Sequence, residues 1–225
     1  MSIAASTSAP AGPRTVADLL EALRPLGDIP PERIRLHPAP GTATEQDLLD
    51  VLDHENRICE LVEGTLVEKT MGYEEGRLAG VLLTYLNIFL WQHDLGIANG
   101  PDGTLKLTTG LIRIPDVSFV SWDRLPNRQP PKGPIPHLAL DLAVEVISQG
   151  NTRAEMDRKL LEYFDAGTRL VWFVYPKTRT VRVYTSPRDS AVLTADDHLD
   201  GGDVLPGFSV SVNELFARAG IKPGA

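Results

Sequence analysis

Residues 138–148 read LALDLAVEVIS, and this stretch decides the fold because its apolar side chains fall on both faces of a β-strand. Such a strand is typical of the buried centre of a sheet. Glu145 lies within it, on the strand face that also carries Ala143 and Ile147. A carboxylate there is costly to bury unless a cation or hydrogen-bond donors compensate its charge. A metal ligand explains such a residue, and an ion pair with a buried lysine or arginine is the alternative.

A helix and a second buried strand follow this stretch in the chain. Thr152 and Glu155 form a capping-box pattern that predicts the start of the helix, and Gly167 is well placed to end it. Residues 170–175, LVWFVY, predict a second central strand. The remaining predictions on this side are strands at 180–185 and near Ala191 and Phe208, and a short helix over residues 213–219.

The elements before residue 138 predict the rest of a mixed sheet flanked by helices. Residues 58–69, ICELVEGTLVEK, predict a hairpin that turns at Glu63 and Gly64, with Glu60 on its inward face. Residues 74–93 predict the clearest helix, since apolar residues recur there at helical spacing. The other predicted elements are helices at 16–26 and 44–53 and strands at 104–109 and 110–120. The predicted fold class is α/β (α+β).

The composition predicts one cytoplasmic domain with extensions. The chain has 225 residues and a single cysteine, Cys59, which excludes an intramolecular disulfide and a thiolate zinc cluster. We find neither a secretory signal nor an apolar run long enough to span a bilayer, so no membrane is expected. The predicted divisions are a tail at 1–14, an N-terminal helical extension at 15–56, the main domain at 57–219 and a tail at 220–225.

The net charge of −8 argues against tight, nonspecific coating of DNA. Proteins that hold nucleic acid present basic surfaces, because neutralisation of phosphates dominates the affinity. An acidic chain can still carry a local basic patch. Arg124, Arg128 and Lys132 predict one in the proline-rich loop at 126–136 and just before it.

Asp116 is the predicted partner of Glu145. It follows Pro115 in the strand predicted at 110–120, and a proline in a strand indicates an edge, an end or a bulge. Asp116 shares a strand face with Ile114 and Ser118, although a Pro-Asp pair is also common turn chemistry. Two inward carboxylates on one sheet repel each other unless a divalent cation lies between them. The pair therefore predicts a metal site.

Lys159 and a further acid complete the predicted site. Lys159 lies at the edge of the buried stripe of its helix, where its long stem can cover apolar surface and carry the ammonium elsewhere. An ordinary surface salt bridge is the alternative. The further acid is Glu60 from the hairpin or Glu75 from the first turn of the helix at 74–93, and the sequence leaves both open.

Several strings in this chain resemble one family of nucleases. They are ELVEG at Glu60, RIPDVSFV around Asp116, LAVEVIS around Glu145, NTRAEMDRKLLEYFDAG from residue 151 and VWFVYPKTRTVRVY from residue 171. In order and spacing they resemble the Uma-type restriction endonucleases of the PD-(D/E)XK superfamily, over about residues 44–216.

The resemblance implies a restriction-endonuclease-like fold that binds Mg²⁺ or Mn²⁺. Asp116 matches the aspartate after proline, and Glu145 matches the acid of the next strand. The superfamily's usual lysine two residues beyond that acid is absent, since Ile147 stands there, and Lys159 matches a lysine supplied by the following helix. Relatives often have histidine where this chain has Glu75.

These features predict a metal-dependent endonuclease that hydrolyses phosphodiester bonds of DNA, with Asp116 and Glu145 as metal ligands. A homodimer is expected, because paired cuts in a duplex usually need two sites. The alternatives are a catalytically inactive nuclease-fold binding or scaffold protein, and a metal-dependent hydrolase of small phosphoesters. The sequence shows no glycine-rich phosphate loop, no histidine pair at zinc spacing and no nucleophile elbow.

Overall fold

The fold is a mixed α+β arrangement of helices packed on β-sheets, as the sequence predicts. A computed structural model describes residues 12–55, 57–70 and 72–222. Its helices are α1 (Val16–Leu23), α2 (Glu45–His54), α3 (Tyr73–His93), α4 (Arg153–Asp165) and α5 (Val212–Arg218). Its strands are β1 (Cys59–Val62), β2 (Thr65–Glu68), β3 (Gly96–Asn99), β4 (Leu105–Thr108), β5 (Leu111–Arg113), β6 (Val117–Ser121), β7 (Leu142–Val146), β8 (Leu170–Tyr175), β9 (Thr180–Ser186), β10 (Asp189–Leu193), β11 (His198–Gly201) and β12 (Leu205–Ser211).

The strands form three sheets within the described residues. A four-stranded antiparallel sheet has the order β2-β1-β5-β4, and a six-stranded sheet has the order β10-β9-β8-β7-β6-β3. Strands β7 and β8 are parallel, and every other neighbouring pair of the six-stranded sheet is antiparallel. Strands β11 and β12 pair with each other. The two runs predicted to be central strands are the two middle strands of the larger sheet.

The two faces of the six-stranded sheet each carry a hydrophobic core. Helices α3 and α5 pack on one face, where Leu82, Trp172 and Phe216 are buried. Helix α4 packs on the other face, where Met156 and Tyr163 lie against the sheet. Because β7 and β8 have apolar side chains on both faces, they can be covered on both sides. Glu145 points to the α4 side, where it contacts Tyr163.

The strand predicted at 110–120 is two strands in two different sheets. Strand β5 pairs with β1 and β4, whereas β6 pairs with β3 and β7. The chain changes sheets at residues 114–116. Pro115 has no N–H to donate to a strand ladder, so both strands stop beside it. The prediction of a single strand is wrong here. Of the three alternatives expected for Pro115, an edge, an end or a bulge, the structure shows a strand end.

Two further predictions about strands differ from the structure. The strand predicted at 138–148 covers only Leu142–Val146. Just before it, the Asp141 carboxylate accepts hydrogen bonds from the Ser121 N–H and the Arg124 guanidinium. Strands β3 and β11 were not predicted. The first residue of β3, Gly96, lies so close to the Val120 carbonyl that a Cβ would be 2.1 Å from the oxygen.

The ends of the chain also depart from the predictions. The α-helix predicted at 16–26 ends at Leu23, since Pro25 follows, and its Leu20 is exposed. Ile221, predicted to lie in a C-terminal tail, is buried in the core that α3 and α5 cover. Residues 1–11 and 223–225, which belong to the predicted tails, lie outside the described residues.

The segment before β1 is closely packed on the rest of the molecule. Leu48 and Val51 of α2 are buried with Leu61 and Ile112 of the four-stranded sheet. The domain boundary placed at residue 57 stays a prediction. No helix in the described part of the chain is both long and apolar enough to cross a bilayer.

Candidate active site

The carboxylates of Asp116 and Glu145 come from neighbouring strands of the six-stranded sheet. The Asp116 N–H donates to the Val144 carbonyl, and Asp116 Oδ2 accepts a 2.6 Å hydrogen bond from the Val146 N–H. These bonds hold Asp116 against the two residues that flank Glu145. Both acids are buried, each only 4% exposed. The structure therefore brings the two predicted metal ligands together.

Lys159 lies between the predicted acids. Its Nζ donates to Glu145 Oε1 at 3.2 Å and to Glu60 Oε1 at 3.1 Å. Lys159 is 2% exposed, so the alternative of an ordinary surface salt bridge is wrong. Helix α4 carries it inward because Met156, Leu160 and Tyr163 bury the same side of the helix.

Glu60 is the acid from β1 that reaches this cluster, and its hydrogen bonds differ from those of Glu145. Glu60 Oε2 accepts a 2.6 Å bond from Arg113, and Oε1 also accepts from the Ile114 N–H. Burial would raise the pKa of Glu60, but the charges of Lys159 and Arg113 hold that pKa well below its usual value. Glu60 is therefore a carboxylate fully engaged by donors.

Glu145 has the opposite shift. Burial raises the pKa of Glu145, because the Lys159 ammonium does not offset burial together with the like charges of Asp116 and Glu60. Both glutamates touch Lys159, but Arg113 and the Ile114 N–H serve Glu60 alone, and the like charge of Asp116 raises the pKa of Glu145. Two acids with opposed pKa shifts in one cluster are typical of functional sites.

Three residues of the cluster were missed by the sequence reasoning: Lys69, Tyr163 and Arg113, which binds Glu60. Lys69, just after β2, donates from Nζ to the Ile114 carbonyl at 2.7 Å and lies 2.8 Å from Asp116 Oδ1. The Tyr163 hydroxyl donates to Glu145 Oε1 at 2.5 Å, and burial raises the pKa of Tyr163 well above its usual value, so the group stays protonated. Lys69 is the last residue of the predicted hairpin that carries Glu60, and this position was the only feature of the sequence that pointed to Lys69.

Glu75 is not brought to the cluster. Its carboxylate lies over the start of its own helix, where a Cβ on Gly72 would meet Oε2 at 2.2 Å. Among the described residues, no hydrogen bond or ion pair links Glu75 to Asp116, Glu145 or Lys159. Of the two acids left open by the sequence, the structure places Glu60 beside the other predicted residues.

The basic patch predicted in and before the proline-rich loop is largely neutralised. Arg124 pairs with Asp141, and Arg128 pairs with Asp94 at 2.5 Å. Only Lys132 has no ion pair among the described residues. This part of the surface therefore offers little free positive charge.

Comparison with known protein families shows the family to which this chain belongs. The sequence model of the Uma2 family, whose description is "Putative restriction endonuclease", matches residues 45–213. This chain belongs to the Uma2 family. The match covers most of the chain and includes Glu60, Asp116, Glu145 and Lys159, as the resemblance of the sequence motifs implied.

A solved structure supports the same fold for this Uma2 protein. It is a "putative nuclease belonging to DUF820" from Anabaena variabilis, with 20% sequence identity and a TM-score of 0.65. The similarity covers 73% of this chain and 92% of the other. No match was found among curated proteins. Family and fold together indicate a restriction-endonuclease-like nuclease.

Nucleases of this fold usually depend on a divalent metal, and the residues of this Uma2 protein fit one. Asp116 and Glu145 offer oxygen ligands, which Mg²⁺ prefers. Glu145 Oε1 accepts two hydrogen bonds, whereas Oε2 has no partner among the described residues. No group of three acids, histidines or cysteines that could hold a metal occurs in the described chain. Two carboxylates match the way Mg²⁺ binds, with water and substrate phosphate as its other ligands.

Proposed function

We propose that this protein is an endonuclease that hydrolyses phosphodiester bonds of DNA, with Mg²⁺ or Mn²⁺ held by Asp116 and Glu145. The observation that carries the proposal is the pair of buried carboxylates on adjacent strands, held by two lysines in a chain of the Uma2 family. A bound cation would lower the pKa of a coordinated water and stabilise charge that develops on the phosphate.

The protein's own groups divide the remaining tasks. Lys159 and Tyr163 both bind Oε1 of Glu145, so they fix this carboxylate while leaving Oε2 open. Lys159 has one N–H beyond its two bonds to carboxylates, and this donor can orient the attacking water. Lys69 holds Asp116 and adds a positive charge next to the position of the substrate phosphate.

Replacement of the two metal ligands tests the proposal. Asp116→Asn and Glu145→Gln should each lower the rate of DNA cleavage by at least about a hundredfold, because each removes a charged ligand from the reacting centre. The measurement is cleavage of end-labelled DNA with Mg²⁺ and with Mn²⁺. Asp196→Asn, in an exposed turn, is the matched control and should cleave as the wild type does. Wild-type rates in both site variants would overturn the assignment.

A second candidate function is a nuclease-fold binding protein without catalysis. It is favoured by the pairing of both carboxylates with lysines and by the net charge of −8. Calorimetric titration with Mn²⁺ separates the two functions. An active nuclease binds the ion and loses it on Asp116→Ala, whereas a scaffold binds none with or without DNA.

We extend the proposal to a homodimer for cuts through both strands of a duplex, since each chain supplies one site. Light scattering during size-exclusion chromatography measures the mass directly. A monomeric mass in the presence of duplex DNA would remove the dimer from the proposal.

A further inference from the structure

A groove of about 540 Å³ lies beside the candidate active site, on the same face of the six-stranded sheet. Helix α4 forms one wall with Arg153 and Met156, and Val192 of β10 lies at the opposite side. The floor is formed by residues of β8 and β9. At one end the groove reaches Ile147, two residues beyond Glu145.

The strand register connects this groove to the catalytic carboxylate. Glu145 pairs with Phe173, Phe173 pairs with Arg182, and Arg182 pairs with Val192. These residues therefore lie in one row across the sheet and face the same side. Arg182 is two strand spacings, roughly 10 Å, from Glu145. A stacked DNA strand has a phosphate about every 3.4 Å along its axis, so Arg182 is in reach of phosphates a few nucleotides from the reacting one.

The rim of the groove is positively charged although the whole chain is acidic. Arg182 is exposed and has no ion pair among the described residues, and the side chain of Arg153 is 94% exposed. Asp157 is the one acid in this lining, and it lies 3.6 Å from Arg153. An adjoining hollow shares Thr178 and Thr180 with the groove and adds further cations, Lys177, Arg179 and Lys222, against one acid, Glu74.

The floor of the groove is aromatic. Phe173 and Tyr184 pack edge to face with ring centroids 5.1 Å apart, and Tyr175 is partly exposed next to them. Phe173 and Tyr184 are only 1% and 8% exposed, so Tyr175 is the ring of this floor that can stack on an unpaired base. Cations along the rim and an accessible aromatic ring are the combination that binds a single strand of nucleic acid.

We propose that this groove binds unpaired nucleotides of the DNA strand on one side of the cleaved phosphate, with Tyr175 stacking on a base and Arg182 binding a phosphate. The inference deepens the proposed function, on which it rests for the nature of the substrate. Neighbouring base pairs cover both faces of a base within a duplex. A base must therefore leave the stack before Tyr175 can contact its face.

Binding without catalysis tests this proposal. Fluorescence anisotropy of a short labelled oligonucleotide is measured in EDTA, so that neither cleavage nor a metal contributes. Wild-type protein should bind the single strand at least about tenfold more tightly than a duplex of the same sequence. Tyr175→Ala should weaken binding about tenfold, while Tyr175→Phe, which keeps the ring, should not.

Arg182 has its own test and a matched control. Arg182→Gln should weaken binding and reduce the slope of log affinity against log salt by about 1, because one phosphate contact is lost. Arg188→Gln removes an exposed arginine from the turn of the same hairpin, outside the groove, and should change neither quantity. The proposal would be overturned if the two arginine variants lost the same affinity for the oligonucleotide, or if Tyr175→Ala lost none.

The outcomes separate this proposal from the proposed function. A protein that cleaves DNA while its groove variants bind and cleave as the wild type does remains a nuclease, and the groove assignment fails. A protein that binds single strands through Tyr175 and Arg182 but never cleaves keeps the groove and loses the nuclease function. If free mononucleotides displace the labelled oligonucleotide when both are present at equal concentration, the groove binds a small ligand and the proposal is overturned.

Discussion

At the scale of single residues, the candidate site is a balanced set of buried charges. Asp116, Glu145 and Glu60 face Lys69, Lys159 and Arg113 through contacts of 2.6 to 3.2 Å. A buried ion pair adds little net stability, but removing one partner leaves an uncompensated charge and costs about 3–5 kcal/mol. Function therefore constrains the identity of these residues, and so does the stability of the fold.

Lys159→Met tests this dependence on charge balance. The variant leaves Glu145 without a cation, so we expect the free energy of unfolding to fall by about 3–5 kcal/mol in urea titrations followed by tryptophan fluorescence. Adding Glu145→Gln should recover part of the loss, because the second change removes the unpaired charge. A single variant as stable as the wild type, or a double variant with simply additive losses, would contradict this account.

In the proposed function, Lys69 would compete with a cation for Oδ1 of Asp116. Lys69→Met should therefore make the protein more dependent on metal, with a larger rise in melting temperature on adding Mn²⁺ than the wild type shows. The rise in melting temperature should be larger in the variant because Lys69 Nζ lies 2.8 Å from Asp116 Oδ1 in the wild type. In Lys69→Met combined with Asp116→Asn, the added Mn²⁺ should give no such rise. Equal rises in all three proteins would show that the ion does not bind at Asp116.

At the scale of elements, an ion pair between Arg33 and Glu155 connects the segment before α2 to helix α4. The two terminal guanidinium nitrogens of Arg33 donate to the Glu155 carboxylate at 2.8 Å, and one of them also donates to the Gly150 carbonyl. The backbone of Gly27 lies so close that a Cβ would be 2.6 Å from Glu155 Cα. These contacts hold the beginning of the helix that carries Lys159.

The stability that the Arg33–Glu155 ion pair provides should depend on pH. Burial would raise the pKa of Glu155, and Glu60 acts in the same direction, but the hydrogen bonds from Arg33 and the charges of Lys159 and Arg33 lower it below 4.5. The stability from this pair is thus fully present above pH 4.5 and is lost as the pH falls through the lowered pKa. Arg33→Met should cost about 3–5 kcal/mol at neutral pH and less in acid.

Urea titrations of wild type, Arg33→Met and Arg33→Lys over a series of pH values provide the measurement. Arg33→Lys keeps the charge but cannot form the two-pronged contact, so its loss of stability should be intermediate. A loss for Arg33→Met that stays constant from neutral pH to below pH 4.5 would assign the effect to packing rather than to the charge of Glu155.

The same scale shows what the sequence could and could not predict. Strands β7 and β8 and helix α4 were predictable, because apolar periodicity and a capping residue are local signals. The change of sheets at Pro115 was predicted only as an edge, an end or a bulge, since the partner strands of β5 and β6 lie far away in sequence. Lys69 was missed for a related reason: its role depends on contact with Asp116, and hairpin periodicity carries no information about that contact.

At the scale of the whole molecule, Ile221, near the end of the described residues, belongs to the core. Ile221 is 6% exposed and packs in the cluster beneath α3 and α5. We expect Ile221→Ala to lower the free energy of unfolding by about 2 kcal/mol or more, as for other buried isoleucines. Lys222→Ala, an exposed neighbour, should change it little. Thermal and urea unfolding measure the stability of both variants. Equal stabilities would show that Ile221 does not contribute to the core.

The pairing of β6 with β7 has a consequence for protein engineering. The exposed, proline-rich loop at 126–136 separates Asp116 from Glu145 along the chain, while the two strands keep the carboxylates adjacent through their own hydrogen bonds. A chain divided in this loop gives one fragment with Asp116, Lys69 and Glu60, and another with Glu145 and Lys159. Neither fragment contains a complete site, so the division yields a split protein whose site forms only when the two fragments reassemble.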